Sequence, residues 1–196
     1  MTLRSYFFSL GLLTFWALPA TAQEDVEFAT RHIQLDANLV FPRNPESQAF
    51  FQSHSLVQAG LSVGLGSKND QAQLVFGLGY MGFRMDSVRL SRLQVEVGGF
   101  APVKLSEQFS LRLRSVLTYN AFNDRVNRIR NGDGFGVGFQ TTLGLQCMLG
   151  NSLSYLFSDA GYDYSVNNGD RGYVPVVRDW SGFRIRTGLV FFLNDD

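Results

Sequence analysis

Lysine is nearly missing from this sequence: Lys68 and Lys104 are the only two among 196 residues. Charged residues of all kinds make up 17%, thin cover for a water-facing surface. Cysteine occurs once, at Cys147, so no internal disulfide can brace the fold. It reads as a small apolar side chain on a strand. Histidine occurs only at His32 and His54, and with one cysteine these make no zinc-type ligand set. Asp159, Asp163 and Asp170 read as residues of a long loop but lack the spacing of a calcium loop. No metal or other cofactor is expected. Neither sign of charge dominates, with 17 basic and 17 acidic residues, which offers no footing for nucleic acid. After residue 22 no run of about 20 apolar residues occurs, which excludes a membrane-spanning helix. A closed β-barrel spans with strands and is not excluded.

The first residues have a different composition. Arg4 precedes an uncharged, mostly apolar run over 5–20, and Ala20-Thr21-Ala22 precedes the polar Gln23-Glu24-Asp25. A basic start, a short apolar stretch and an A-x-A site describe a secretory signal peptide over residues 1–22. Residues 23–196 are then expected to form one exported domain.

From residue 32 onward, apolar and polar residues alternate with period two in eight segments. They run near 32–41, 55–65, 72–83, 90–101, 109–120, 135–148, 152–164 and 183–193. In the fifth, Phe109, Leu111, Leu113, Leu117 and Tyr119 oppose Ser110, Arg112, Arg114, Thr118 and Asn120. The seventh is least regular, with Leu153, Tyr155 and Phe157 read as its apolar face. Short links are expected at 66–71, 102–108 and 150–151, long polar ones at 42–54, 120–134 and 159–181, and a shorter one at 84–89. An even number of strands, with short turns at one end and long loops at the other, is the layout of a transmembrane β-barrel.

Alternation alone does not say which face is outside. Three features place the apolar face against lipid. The polar face is rich in glycine and amides and holds no lysine. The segments are long enough to cross hydrocarbon at a tilt. Aromatic residues gather towards strand ends: Phe41, Tyr80, Tyr119, Phe135, Phe139 and Phe183 at the loop end, and Phe109, Tyr155 and Phe191 at the turn end. The fold class expected is all-β, an eight-stranded antiparallel up-and-down transmembrane barrel. An exported soluble barrel of lipocalin type, with the apolar face inside, is the alternative.

With the apolar face outward, Arg112, Arg114, Arg184 and Arg186 point into the lumen, as do Asp36 and Glu96. An eight-stranded barrel has room for side chains but no wide channel, and charges buried there need partners. Closure sets the last strand, with Arg184 and Arg186, beside the first, with Asp36. A hairpin centred on Leu105 sets Glu96 directly opposite Arg114. A salt-bridged plug is expected rather than a diffusion pore.

On this strand architecture the chain resembles the small OmpA-like outer-membrane β-barrels over about residues 23–196. The resemblance rests on layout rather than on a motif. It implies a Gram-negative outer membrane, periplasmic termini and outward-facing loops. Its expected partners are outer-membrane lipids, lipopolysaccharide and the barrel-assembly machinery, with the barrel itself a monomer. Such barrels act as structural, adhesive or host-interaction proteins, and some relatives modify lipids. The related lipid A deacylases use a His-x-Ser pair; His54 is followed two residues later by Leu56, so no catalytic residue is assigned and no enzyme is expected. A lipid-modifying barrel stays the alternative function. The run containing Arg125, Arg128 and Arg130 is a basic patch suited to anionic lipopolysaccharide, or simply a solvated loop.

Overall fold

The computed structural model describes residues 29–45, 48, 55–66, 72–85, 88–126, 129–150, 153–167 and 180–193. Eight strands follow in chain order: β1 Ala29–Pro42, β2 Leu56–Gly66, β3 Gln73–Met85, β4 Val88–Lys104, β5 Phe109–Val126, β6 Ile129–Met148, β7 Ser154–Asn167 and β8 Gly182–Phe192. Each pairs antiparallel with its chain neighbour, and β1 also pairs with β8, closing the barrel. Closure leaves no sheet edge, and a chain with an apolar outer face needs that if it is to sit in hydrocarbon.

The usual inside-out order of a soluble protein is reversed. Val57, Leu78 and Tyr80 are each more than half exposed, and Leu61, Phe76, Leu93, Leu117, Val137 and Leu143 share the outer surface with them. Gln34, Asn38, Gln58, Gln94, Asn120 and Gln140 are buried inside. A lipocalin-type barrel would bury the first set and wet the second, so the soluble alternative does not describe this arrangement. Among the described residues no helix is long and apolar enough to cross a membrane.

Two expectations about the ends need correction. The link after the fifth segment is not a long loop, because β5 runs to Val126 and β6 starts at Ile129. Likewise only residues 86 and 87 separate β3 from β4. The strands β3 to β6 therefore rise as paired arms, and polar stretches that read as loop are paired backbone. The wide connections at that end are 43–55 and 168–181, and most of their residues lie outside those described.

The seventh segment faces the opposite way from the expectation. Phe157 is fully buried in the lumen, Tyr155 contacts Phe192, and Leu156 and Tyr164 are the exposed apolar residues of β7. Leu153 precedes the strand. Tyr155 thus leaves the turn-end girdle. Phe109 and Phe191 remain on the outside there, and Phe41, Tyr80, Tyr119, Phe135 and Phe183 at the other end.

Candidate functional site

The lumen is the most elaborate chemical feature of the molecule, and glycine makes room for it. On β2, a Cβ added at Gly60 would strike the Asp36 carboxylate, and one at Gly64 would overlap the His32 ring. On β3, the same atom at Gly79 would run into the Gln58 amide. Large polar side chains from one strand thus lie across the bare backbone of the next.

Near the turn end, His32 donates through Nδ1 to Gln73 Oε1 at 2.5 Å, and its ring packs against Phe100 and Phe192. Above it sits Arg112. Its guanidinium lies 3.9 Å from the Phe157 ring centroid and 4.7 Å from that of Phe100. It donates to Gln34 Oε1 at 2.7 Å and to Gln146 Oε1 at 3.1 Å. Two aromatic faces and two amide oxygens substitute for the water that a buried cation loses.

The next layer is ionic. Arg186 holds Asp159 with two hydrogen bonds, Nε to Oδ1 at 3.1 Å and Nη2 to Oδ2 at 2.6 Å. This is the paired geometry that suits guanidinium to carboxylate. Arg112 Nε lies 3.8 Å from the same carboxylate. Arg114 bonds Glu96 through Nη2. Asp36 accepts from Gln34 Nε2 at 2.8 Å and from Asn38 Nδ2 at 2.6 Å.

Towards the loop end comes an amide-rich layer. Arg92 donates to Asp163 Oδ2 at 3.2 Å and to Gln58 Oε1 at 2.9 Å. Arg184 donates to Gln58 and Gln140, and its Nη2 lies 3.8 Å from Asp163 Oδ2. Gln140 and Gln58 bond Gln94 Oε1, and Gln94 in turn bonds Asn120. An apolar cap of Val40, Leu56, Met81, Leu90, Phe122 and Trp180 packs over this layer. Trp180 lies 5.9 Å from the Arg92 guanidinium and 5.1 Å from Phe122, ring centroid to ring centroid.

Several expected site residues do meet. Glu96 and Arg114 are in contact, but not as directly opposed residues: Glu96 stands across from Thr118 and Arg114 across from Phe100. The hairpin is offset because Pro102 to Lys104 stay on the ladder, with Lys104 opposite Ser110. The turn is the stretch 105–108, tied by Ser106 Oγ accepting from Phe109 N. Two long side chains reach along the lumen and close the gap that the register opens.

Asp36 is not the hydrogen-bonded partner of Arg184 or Arg186; those arginines take Asp163 and Asp159. Both aspartates read as loop residues in the sequence but lie on β7, facing inward and fully buried. Asp159 stands directly opposite Arg186 in the β7–β8 register. Arg92 and His32 are further lumen members that the sequence reading missed. Strict parity along β4 and β1 contained the signal, since Arg92 shares a face with Gln94 and Glu96, and His32 with Gln34. Of the basic run, Arg125 and Arg130 are paired across β5–β6. Arg128, Asp170 and His54 lie outside the described residues.

No family model matches the sequence, and no curated protein matches it either. Solved structures do match in fold. Neisserial surface protein A superposes with a TM-score of 0.56 at 11% identity, over 85% of this chain and 99% of its own. A major outer membrane protein from Thermus thermophilus gives 0.52 at 12%, over 84% and 100%. The N-terminal β-barrel domain of OprF from Pseudomonas aeruginosa gives 0.50 at 11%, over 84% and 98%. All three are eight-stranded outer-membrane barrels, and this chain has their fold.

Proposed function

We propose that this chain is an outer-membrane β-barrel protein of a Gram-negative bacterium, with a structural or surface-interaction role played by its loop end. In this reading residues 1–22 are removed on export and the barrel-assembly machinery inserts the remainder as a monomer. The observation that carries it is the inverted polarity: an apolar, aromatic-edged exterior around five buried arginines, four buried or half-buried acids and their amide partners. A lumen occupied from the His32 layer to the Trp180 cap supports a sealed barrel rather than a wide pore. What reaches the cell exterior is then the 43–55 and 168–181 connections and the tips of the two arms.

Cell fractionation combined with gel mobility tests the placement. The mature chain is expected in the detergent-extracted membrane fraction, with a compact band that shifts on boiling. Recovery as a soluble periplasmic monomer would refute it. The sealed lumen predicts no steady conductance in planar bilayers. The lipid-modifying alternative is separated by comparing outer-membrane lipids from cells with and without the protein, and a new acyl-chain pattern would favour it.

A further inference from the structure

Outside the lumen, one part of the barrel surface combines charge, shape and position. Arg84 on β3 stands directly opposite Arg89 on β4, and Arg89 stands opposite Arg125 on β5. Arg125 in turn pairs with Arg130 on β6. Four neighbouring strands thus place an arginine in one cross-strand row. Like charges directly opposed across a sheet are destabilising unless something compensates them. Among the described residues, neither Arg84 nor Arg89 has a hydrogen-bond or ion-pair partner. Among the described residues, the acidic ones of the arms occupy other rows: Asp124 is opposite Leu90, and Asp133 opposite Asn123.

Shape adds a second observation. A groove of about 430 Å³ opens here, lined by Tyr80, Gly82, Arg84, Arg89, Ser91 and Asn123 among others. The bare backbone of Gly82 lies between the aromatic ring of Tyr80 and the arginine pair. Height is the third. The row Tyr80, Leu93, Ala121 and Phe135 marks the upper rim of the apolar band. Arg84 is four residues beyond it, about 13 Å along the strand and about 10 Å along the membrane normal at a barrel's usual tilt. Headgroups lie just outside the hydrocarbon, within reach of arginines that extend down from that level.

We propose that the outer face of the β3–β4 arm binds the phosphate-bearing headgroup of a glycolipid in the outer leaflet. Arg84 and Arg89 take the phosphate, and an acyl chain lies over Gly82 and along Tyr80 and Leu93. A phosphate oxygen set accepts from both guanidiniums at once and removes their mutual repulsion. A lipid is assigned over a free anion because the groove reaches the upper rim of the apolar band at Tyr80. The inference rests on the membrane placement proposed above.

The test uses the mature chain folded in phosphatidylcholine nanodiscs doped with bisphosphorylated lipid A, or with the same lipid dephosphorylated. Compact gel mobility confirms insertion first, so failure of the membrane placement shows up separately, as no inserted barrel. Native mass spectrometry then counts the lipid retained on release into detergent. The bisphosphorylated form is expected to stay bound and the dephosphorylated one to be lost. Arg84→Ala with Arg89→Ala should cut retention by roughly tenfold or more at low salt, while Arg43→Ala, just past the end of β1, should leave it unchanged. Equal retention of the two lipids, or an unaffected double variant, overturns the site. Displacement by millimolar inorganic phosphate alone overturns the lipid assignment in favour of a free anion.

Discussion

The two ionic layers of the lumen solve the same problem differently. In the layer around Arg186, three arginines (Arg112, Arg114 and Arg186) face three acids (Asp36, Glu96 and Asp159), and Arg186 grips its aspartate with two hydrogen bonds. In the layer around Arg184, two arginines share the single carboxylate of Asp163, at 3.2 and 3.8 Å, and amide side chains supply the remaining contacts. The polar atoms left without a partner follow this division. Arg92 leaves Nε and Nη1 unbonded, Arg184 its Nε and Asp163 its Oδ1, whereas the arginines of the larger ionic layer leave only the Nε atoms of Arg112 and Arg114. Charge balance permits well-formed pairs. A surplus cation forces acceptors to be shared, and amides then act as the solvent.

The largest expected effect follows from that surplus. Asp163→Ala removes the only acid within 4 Å of both Arg92 and Arg184 among the described residues, leaving two buried cations uncompensated. A loss of roughly 3–5 kcal/mol is expected, read as the urea midpoint at which the compact gel band disappears. An unchanged midpoint would mean that amides and internal water suffice, and the contrast between the layers would collapse.

Next comes Glu96 with Arg114. Each single change to alanine strands one buried charge, and the double change strands neither. The double variant should lose less than the sum of the singles, with a coupling on the order of 1–3 kcal/mol. Strict additivity would show that the contact across the offset register carries no energy.

A smaller effect is expected from Arg92→Met, which removes the surplus cation and keeps apolar volume beside Trp180. Stability should shift by less than about 1.5 kcal/mol and could rise. Comparing it with Asp163→Ala sharpens the point: in this layer the anion is costly to lose and the cation is not. Smallest of all is a polar pair at outward-facing strand positions, where Ser115 and Thr141 are buried and hydrogen bonded at 3.0 Å. Ser115→Val should cost about 0.6 kcal/mol, typical of side-chain hydrogen bonds in a membrane setting. A change as large as that of Asp163→Ala would mean the outer pair is no minor contact.

Much of this architecture is legible along the chain, and the misses have causes. In β5, large apolar residues alternate with arginine, threonine and asparagine, so facing can be read without structure. In β7 the contrast fails: the inward face holds Phe157 beside Asp159, and the outward face holds Ser158 and Ala160 beside Leu156. A lumen aromatic is there because Arg112 and Arg186 stack on its ring, a reason that pairwise alternation cannot carry. The position of the β4–β5 turn is misleading in the sequence because Pro102 looks like a turn residue yet sits in the ladder opposite Arg112. The polar arms of β5 and β6 read as loop since hydrogen-bonded strands beyond the membrane need no apolar face.

Local chemistry therefore determined what each segment is. Period-two alternation sets the strands, scarce lysine with glycine and amides marks a polar interior, and the outward aliphatic face calls for lipid. Those properties belong to single strands and need no partner to be expressed. Which arginine meets which acid was decided only on closure. A contact between β5 and β4, or between β8 and β7, depends on register, and register is a relation between strands that one shifted turn alters for every pair. Side chains in a filled lumen then settle among all partners within reach, so Arg114 finds Glu96 without standing opposite it.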